Sequence, residues 1–391
     1  MKRIIKLGMG LSVASMLALT ACGTVGGNTG TTSTNSGGGS STGKTILIGV
    51  ETPTTGSSAK MGQDMDNAIK MAADEINAKG GILGKQIQLV YADDASDPQT
   101  AATAANKLVS EGVVAVVGGY ASGAVLPASG IYHNAGIPMV VTAANSSKIP
   151  AQGYKDIFLI NGTTTAQAQT AADYMTKTLH AKKIAIIDDN SAYSVDLADE
   201  TKQAVLADGG QVVAEDAVDP NQSDFSTELT HLKSLHPDAT YWTGYYAAGG
   251  LLLKQFKQLD VGGAFGVGDG SNDPTLAKIA GTANVEGVFT TTSPTPEFQP
   301  SAKNWVTKYQ SEFNTAPGPY SALSYDGMRL LADAISRAGS TDKSAIIKAL
   351  VSTNGFQTFG GPISFKSDGE LAKSNFVVLV FKNGQYTMPN Q

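Results

Sequence analysis

Several short segments place polar groups where they could hold a charged small molecule. Gly118-Gly119-Tyr120-Ala121-Ser122 follows an apolar run and opens a helical one, so the Ser122 hydroxyl and the first helical N–H groups offer donors suited to a carboxylate. Ser122 also reads as a helix cap, and the two roles can coexist. Ala143-Ala144-Asn145-Ser146 follows the next apolar run. Its small residues let backbone approach a ligand and Asn145 brings an amide donor, although an ordinary polar turn has the same composition. Gly268-Asp269-Gly270 sets a carboxylate between glycines, which on residue type alone is a turn former. Asp188 and Asp189 end another apolar run close to Tyr193. A paired-carboxylate acid/base site is one reading of them, and a solvated strand end the preferred one. Tyr241, Trp242, Tyr245 and Tyr246 read first as a strand end packed in a core.

Catalysis finds little support in these residues. The four histidines, His133, His180, His231 and His236, are scattered over helix and turn positions and not grouped at metal-ligand spacing, which points to solvated or capping roles. There is no Walker loop, no G-x-S-x-G elbow and no H-E-x-x-H pair, so neither a cofactor, a metal nor an enzyme activity is expected.

Cys22 is the only cysteine. It follows the basic start Lys2, Arg3 and Lys6 and the apolar run Leu11 to Leu19, which is too short to span a bilayer as a mature helix. The order Leu19-Thr20-Ala21-Cys22 resembles the lipobox of a bacterial lipoprotein signal. That resemblance implies a signal peptide over 1–21, lipid on Cys22 as the mature N-terminus, and a location outside the cytoplasm on a membrane. From Gly23 to Gly43 the chain contains only Gly, Thr, Ser, Asn and one Val, a composition that buries nothing and reads as a tether, so 22–43 is the anchored linker. Taking Lys2, Arg3 and Lys6 from the 28 basic residues leaves 25 against 34 acidic ones, a formal charge of −9 that disfavours nucleic acid as a partner.

The elements that must position these groups follow from periodicity. Apolar runs of strand length, Thr45–Val50, Ile87–Tyr91, Val113–Val117 and Pro138–Val141, alternate with helical segments at about Gly62–Ala78, from Pro98, and at Ser122–His133. Ile157–Ile160 reads as a crossing strand. A second cycle then begins, with helix Thr165–Leu179, strand Ile184–Ile187, helix Val195–Ala207, strands Gln211–Ala217 and Thr240–Trp242, helix Ala248–Gln258 and strand Phe265–Val267. The central runs are apolar without alternation, as strands covered on both faces are. About 350 residues after the tether exceed one usual core, so the expected class is α/β, with two doubly wound parallel-sheet lobes whose strand ends face a common crevice.

The chain also resembles the branched-chain amino acid binding proteins of the leucine/isoleucine/valine type, in the type I periplasmic binding protein family. The resemblance rests on Gly62-Gln63-Asp64, Ile76-Asn77-Ala78-Lys79-Gly80-Gly81-Ile82, Asp93-Asp94-Ala95-Ser96-Asp97-Pro98, Pro127-Ala128-Ser129, Asp238 through Gly244-Tyr245, Ile279-Ala280-Gly281 and Gly361-Pro362-Ile363. Their order and spacing cover nearly the whole chain after the tether.

This resemblance implies one small solute held between two lobes joined by a three-segment hinge, then handed to an ABC transporter permease. It implies lobe 1 over 44–162 and 293–372, and lobe 2 over 163–292 and 373–391. Ser122 and the backbone of Ala143, beside Ala144, would meet a ligand carboxylate, with Asn145 where the family usually has a hydroxyl residue. Asp269 would pair with the ligand ammonium, one methylene shorter than the usual glutamate. Tyr193, Tyr245 and Tyr320 match aromatic positions around the ligand, and Met61 stands where an aromatic is common. Ser96 and Ala121 replace a disulfide pair present in several members. A branched-chain or related aliphatic amino acid is the expected ligand, and a monomer is the simplest state for a receptor that docks and releases. The same fold also admits an amide, a urea-like compound or an aromatic acid as ligand, or a signalling partner in place of a permease.

Overall fold

The computed structural model describes residues 45–389 apart from Asn375 and Gly384. The proposed signal, Cys22 and the tether lie outside these described residues. Nine elements build the first half: β1 (Thr45–Thr52), α1 (Ala59–Ala78), β2 (Gln86–Asp93), α2 (Pro98–Ser110), β3 (Ala115–Gly118), α3 (Ser122–Asn134), β4 (Met139–Val141), α4 (Lys148–Ala151) and β5 (Ile157–Leu159). Its sheet runs β2-β1-β3-β4-β5, parallel throughout. The short strands β3 and β4 are wholly buried, which is why they carry no polar alternation. Asp97 caps α2 by accepting from the Gln99 and Thr100 N–H groups, with Pro98 at the first helical turn where no N–H is missed.

A second cycle follows, with α5 (Thr164–Asp173), β6 (Lys183–Asp188), α6 (Ala192–Ala207), β7 (Gln211–Ala217), α7 (Ser226–Leu235), β8 (Ala239–Trp242), α8 (Tyr246–Gln258), β9 (Ala264–Val267), α9 (Pro274–Ala280) and β10 (Phe289–Thr292). Its parallel strands run β7-β6-β8-β9-β10, the same order as in the first sheet. The chain then returns through α10 (Lys303–Phe313), α11 (Ser321–Ala338) and α12 (Lys343–Val351). Of these, α11 packs on α1 and β3 of the first half. After the hairpin β11 (Asn354–Thr358) and β12 (Gly361–Ser364), it crosses once more to add β13 (Val377–Lys382) and β14 (Gln385–Thr387) antiparallel to the second sheet. Three connections therefore join the halves, and the fold is that of a type I periplasmic binding protein.

Some boundaries differ from those the pattern suggested. Helix α1 starts at Ala59, and α6 at Ala192, where Ser191 accepts from the Ser194 N–H and so begins the helix earlier than its apolar face does. The helix expected to Leu179 changes at Tyr174 to a π-helical turn ending at Thr178. Ile157–Leu159 is no mere crossing segment: it pairs with β4 as the edge of the first sheet, and the crossing comes after it. Among the described residues, no helix is long and apolar enough to cross a membrane.

Candidate functional site

In a 2-1-3-4-5 sheet the order reverses between the first and third strands, and the loops leaving them part to open a crevice. Here those loops follow β1 and β3 in one half and β6 and β8 in the other. Gly118 at the end of β3 has φ 136° and no room for a side chain, because a Cβ would sit 2.2 Å from the Glu51 carbonyl oxygen. That close approach turns the chain sharply into Tyr120, Ala121 and Ser122. Ser122 is the first residue of α3, and its hydroxyl accepts from the Ser146 N–H at 3.2 Å, so it braces the neighbouring loop and is not the helix cap, which is Ala121. In that neighbouring loop the Ala143 and Ala144 N–H groups both donate to Gly119 O, at 3.2 and 3.0 Å.

Asp269 is the centre of the constellation. It lies just past β9, is 2% exposed, and accepts from Tyr193 Oη at 2.8 Å, Asn161 Nδ2 at 3.3 Å and Asn145 Nδ2 at 3.5 Å. Burial pushes its carboxyl up to about 6, opposed by Tyr193, Asn161, Gln167 and the Gly270 N–H. Among the described residues, no basic side chain figures among its partners. It is thus a buried acid held by dipoles alone, a site that lacks only a positive charge. The turn-former reading of Asp269 gives way to this, since its side chain faces inward.

Aromatic rings enclose the acid. Tyr193 packs on Tyr245 with centroids 5.5 Å apart, Tyr245 on Tyr120 at 5.7 Å, and Tyr120 edge-on to Tyr320 at 5.6 Å. Tyr120 comes from the loop after β3 and Tyr320 from the start of α11, which packs on that first half, whereas Tyr193 lies in the first turn of α6 and Tyr245 in the loop after β8, both in the second. Small residues permit this packing: a Cβ on Gly268 would lie 2.5 Å from Tyr193 Oη, and one on Gly270 2.9 Å from Tyr193 Cε1. Tyr245 is set by Asp189, whose Oδ2 accepts the Tyr245 N–H at 3.0 Å. Asp189 is 3% exposed, its side chain accepts from the Ser191 N–H and its backbone N–H donates to the Ser194 hydroxyl, so it is a buried brace and not a solvated strand end. Tyr241 and Trp242 are core residues of β8, as expected.

Of the residues singled out in sequence, Asp269, Tyr193 and Asn145 are in direct contact, Tyr245 and Tyr320 join through rings, and Ser122, Ala143 and Ala144 form the adjoining turn. Met61 is buried in the apolar cluster that also contains Tyr120, Ala143, Ala144 and Tyr320. Three participants escaped notice. Asn161 donates to Ala143 O at 2.7 Å as well as to Asp269. Gln167 donates to Tyr193 Oη at 3.2 Å and accepts from Asn145 at 2.9 Å. Tyr120, within Gly118-Gly119-Tyr120-Ala121-Ser122, adds a ring between Tyr245 and Tyr320. The available signal was a lone amide directly after an apolar strand, for Asn161, and an amide in the threonine-rich first turn of α5, for Gln167.

The histidines stand apart from this arrangement: His133 pairs with Asp156 at 3.0 Å and stacks on Tyr154, His231 lies 3.6 Å from Asp216, and His180 and His236 turn the chain at φ 55° and 49°. Among the described residues no cluster of His, Cys, Asp or Glu could hold a metal ion.

The periplasmic binding protein family model matches residues 45–385. The chain belongs to that family. As a periplasmic binding protein it is 33% identical over 340 residues to the Leu/Ile/Val-binding protein homolog 2 of Brucella abortus, covering 87% of this chain and 91% of the relative. Its fold matches the leucine binding protein LivK of Thermotoga maritima with a TM-score of 0.82 and 32% identity, over 88% of this chain and 99% of that one. It also matches the branched-chain amino acid transporter substrate binding protein LivJ of Streptococcus pneumoniae, in complex with isoleucine, with a TM-score of 0.81 and 29% identity over 88% and 98% of the two chains. These relatives are named as binding proteins, and the family is that of periplasmic binding proteins, which lie outside the cytoplasm.

Proposed function

We propose that this periplasmic binding protein captures a branched-chain or related aliphatic amino acid between its two halves and delivers it to an ABC permease. The observation that carries the reading is Asp269, a buried carboxylate with neutral donors around it and aromatic rings from both halves over it. An ammonium supplies the missing charge, and a truncated partner of such a pair costs about 2–5 kcal/mol. The carboxylate end of the ligand falls to the Ser122 hydroxyl and the Ala143–Asn145 turn, and its side chain to Tyr120, Tyr245, Tyr320 and Met61. The relatives named for leucine, isoleucine and valine support the same assignment. Closure is a hinge motion about the three connections, with lobe 1 as 44–162 and 293–372 and lobe 2 as 163–292 and 373–391; ligand contacts from both lobes favour the shut form.

Thermal unfolding of solute-free protein against amino acids, amides and aromatic acids tests this. Ligand at a hundredfold excess over Kd adds about 2.7 kcal/mol to the folded state. A shift with leucine, isoleucine and valine that vanishes in Asp269→Ala is the expected result, and no shift with any amino acid refutes it. The proposal extends to lipid on Cys22 as membrane anchor, checked by metabolic labelling with a fatty acid that Cys22→Ser should abolish, and to a monomer, checked by light scattering.

A further inference from the structure

Tyr120 is 4% exposed, and its hydroxyl has no hydrogen-bond partner among the described residues. By contrast, the hydroxyls of Tyr193, Tyr241, Tyr246, Tyr309 and Tyr325 are bonded, to Asp269, Thr291, Ser57 O, Asp64 O and Glu75. A buried hydroxyl left unbonded is unfavourable, and a phenylalanine would fill the same volume without that cost. The ring is wedged between Tyr245 of one half and Tyr320 of the other, and the Gly119 N–H behind it is bonded to Glu51 O at 2.8 Å, so the residue is held from both sides. Burial holds the phenol protonated, reinforced by Tyr245, Tyr246, Asp273 and Asp269, so it is a donor that wants an acceptor.

We propose that the Tyr120 hydroxyl is a specificity-determining donor of the ligand cleft, and that the solute carries an oxygen acceptor on a side chain of branched-chain size. Threonine and asparagine are the near-isosteric, oxygen-bearing counterparts of valine and leucine. The inference rests on the amino acid reading of Asp269 and changes only its side-chain half.

Calorimetric Kd values for valine, threonine, leucine and asparagine, on the wild-type protein, Tyr120→Phe and Asp269→Ala, test it. The expected result is a wild-type preference for the oxygen-bearing member of each pair, with Tyr120→Phe shifting both ratios roughly five- to tenfold toward valine and leucine. Unchanged ratios in Tyr120→Phe overturn the inference, meaning that water meets the hydroxyl. An equal loss for all four ligands also overturns it, because the hydroxyl then serves the common carboxylate. Either result leaves the amino acid reading standing if Asp269→Ala abolishes binding. If none of the four binds the wild-type protein, both fall together. A thermal unfolding curve for Tyr120→Phe, which removes a single oxygen, verifies that the variant is folded.

Discussion

Tyr193 donates its hydroxyl to Asp269 at 2.8 Å while its ring lies against Tyr245 at 5.5 Å, so one side chain fixes both the acid of the site and part of its aromatic wall. The two functions are coupled through a single rotamer.

Ligand affinity should depend on pH through Asp269. Its carboxyl stands at about 6 without ligand, and an ammonium favours the ionised form, so proton and ligand compete. Affinity should be flat above about pH 7 and fall toward tenfold per unit well below about pH 6. Titration calorimetry from pH 4.5 to 8 checks this, and an affinity that rises on acidification refutes the ion pair.

Tyr193→Phe keeps the ring and removes a donor to a buried charge. The ionised acid then loses a bond of about 1.5–3 kcal/mol, and the midpoint of the pH profile should move upward from about 6. The same titration on the variant reads this directly.

Gly268→Ala should weaken binding about tenfold or more with little loss of secondary structure. Its φ is ordinary at −74°, so the effect is steric: the added carbon would stand 2.5 Å from Tyr193 Oη and 2.9 Å from Leu197 Cδ2, and the tyrosine must leave Asp269. Affinity and far-ultraviolet dichroism together test it, since unchanged affinity would mean that the ring has other room.

Glu51, at the end of β1, is wholly buried and bonds Tyr132 through one oxygen, with the other unpartnered. Burial raises its carboxyl from 4.5 to about 8, with Asp94 adding to the effect and the Tyr132 bond opposing it. A group whose folded value is raised favours the folded state only while protonated, so stability should decline as pH climbs from about 4.5 to about 8 and level off beyond. Glu51→Gln should flatten that decline and stabilise the protein at pH 9 by at least about 1 kcal/mol. Urea unfolding at pH 5, 7 and 9 decides it.

The alternation of apolar strands and helices announced an α/β chain with two sheets, because strands covered on both faces leave uninterrupted apolar runs such as Val113–Val117 and Ile184–Ile187. Caps marked by side chains, as at Asp97 with Pro98, fall where the sequence puts them, whereas the π-turn at Tyr174 has no local signature and the edge position of Ile157–Leu159 depends on what β4 offers it. The motif resemblance directed attention to Asp269, Asn145 and Tyr193, three residues that meet in space though 124 positions separate Asn145 from Asp269.

The sequence by itself determined composition, order of elements and the polar residues placed at strand ends, since each of these depends on neighbours within a few positions. Only the tertiary structure decided that Asn161 and Gln167 complete the bed of Asp269, that Asp189 is a brace for Tyr245, and that the Tyr120 hydroxyl finds no partner among the described residues. Those facts turn on burial and on distances between segments far apart in the chain, and a carboxylate or hydroxyl takes its chemistry from what surrounds it once water is gone.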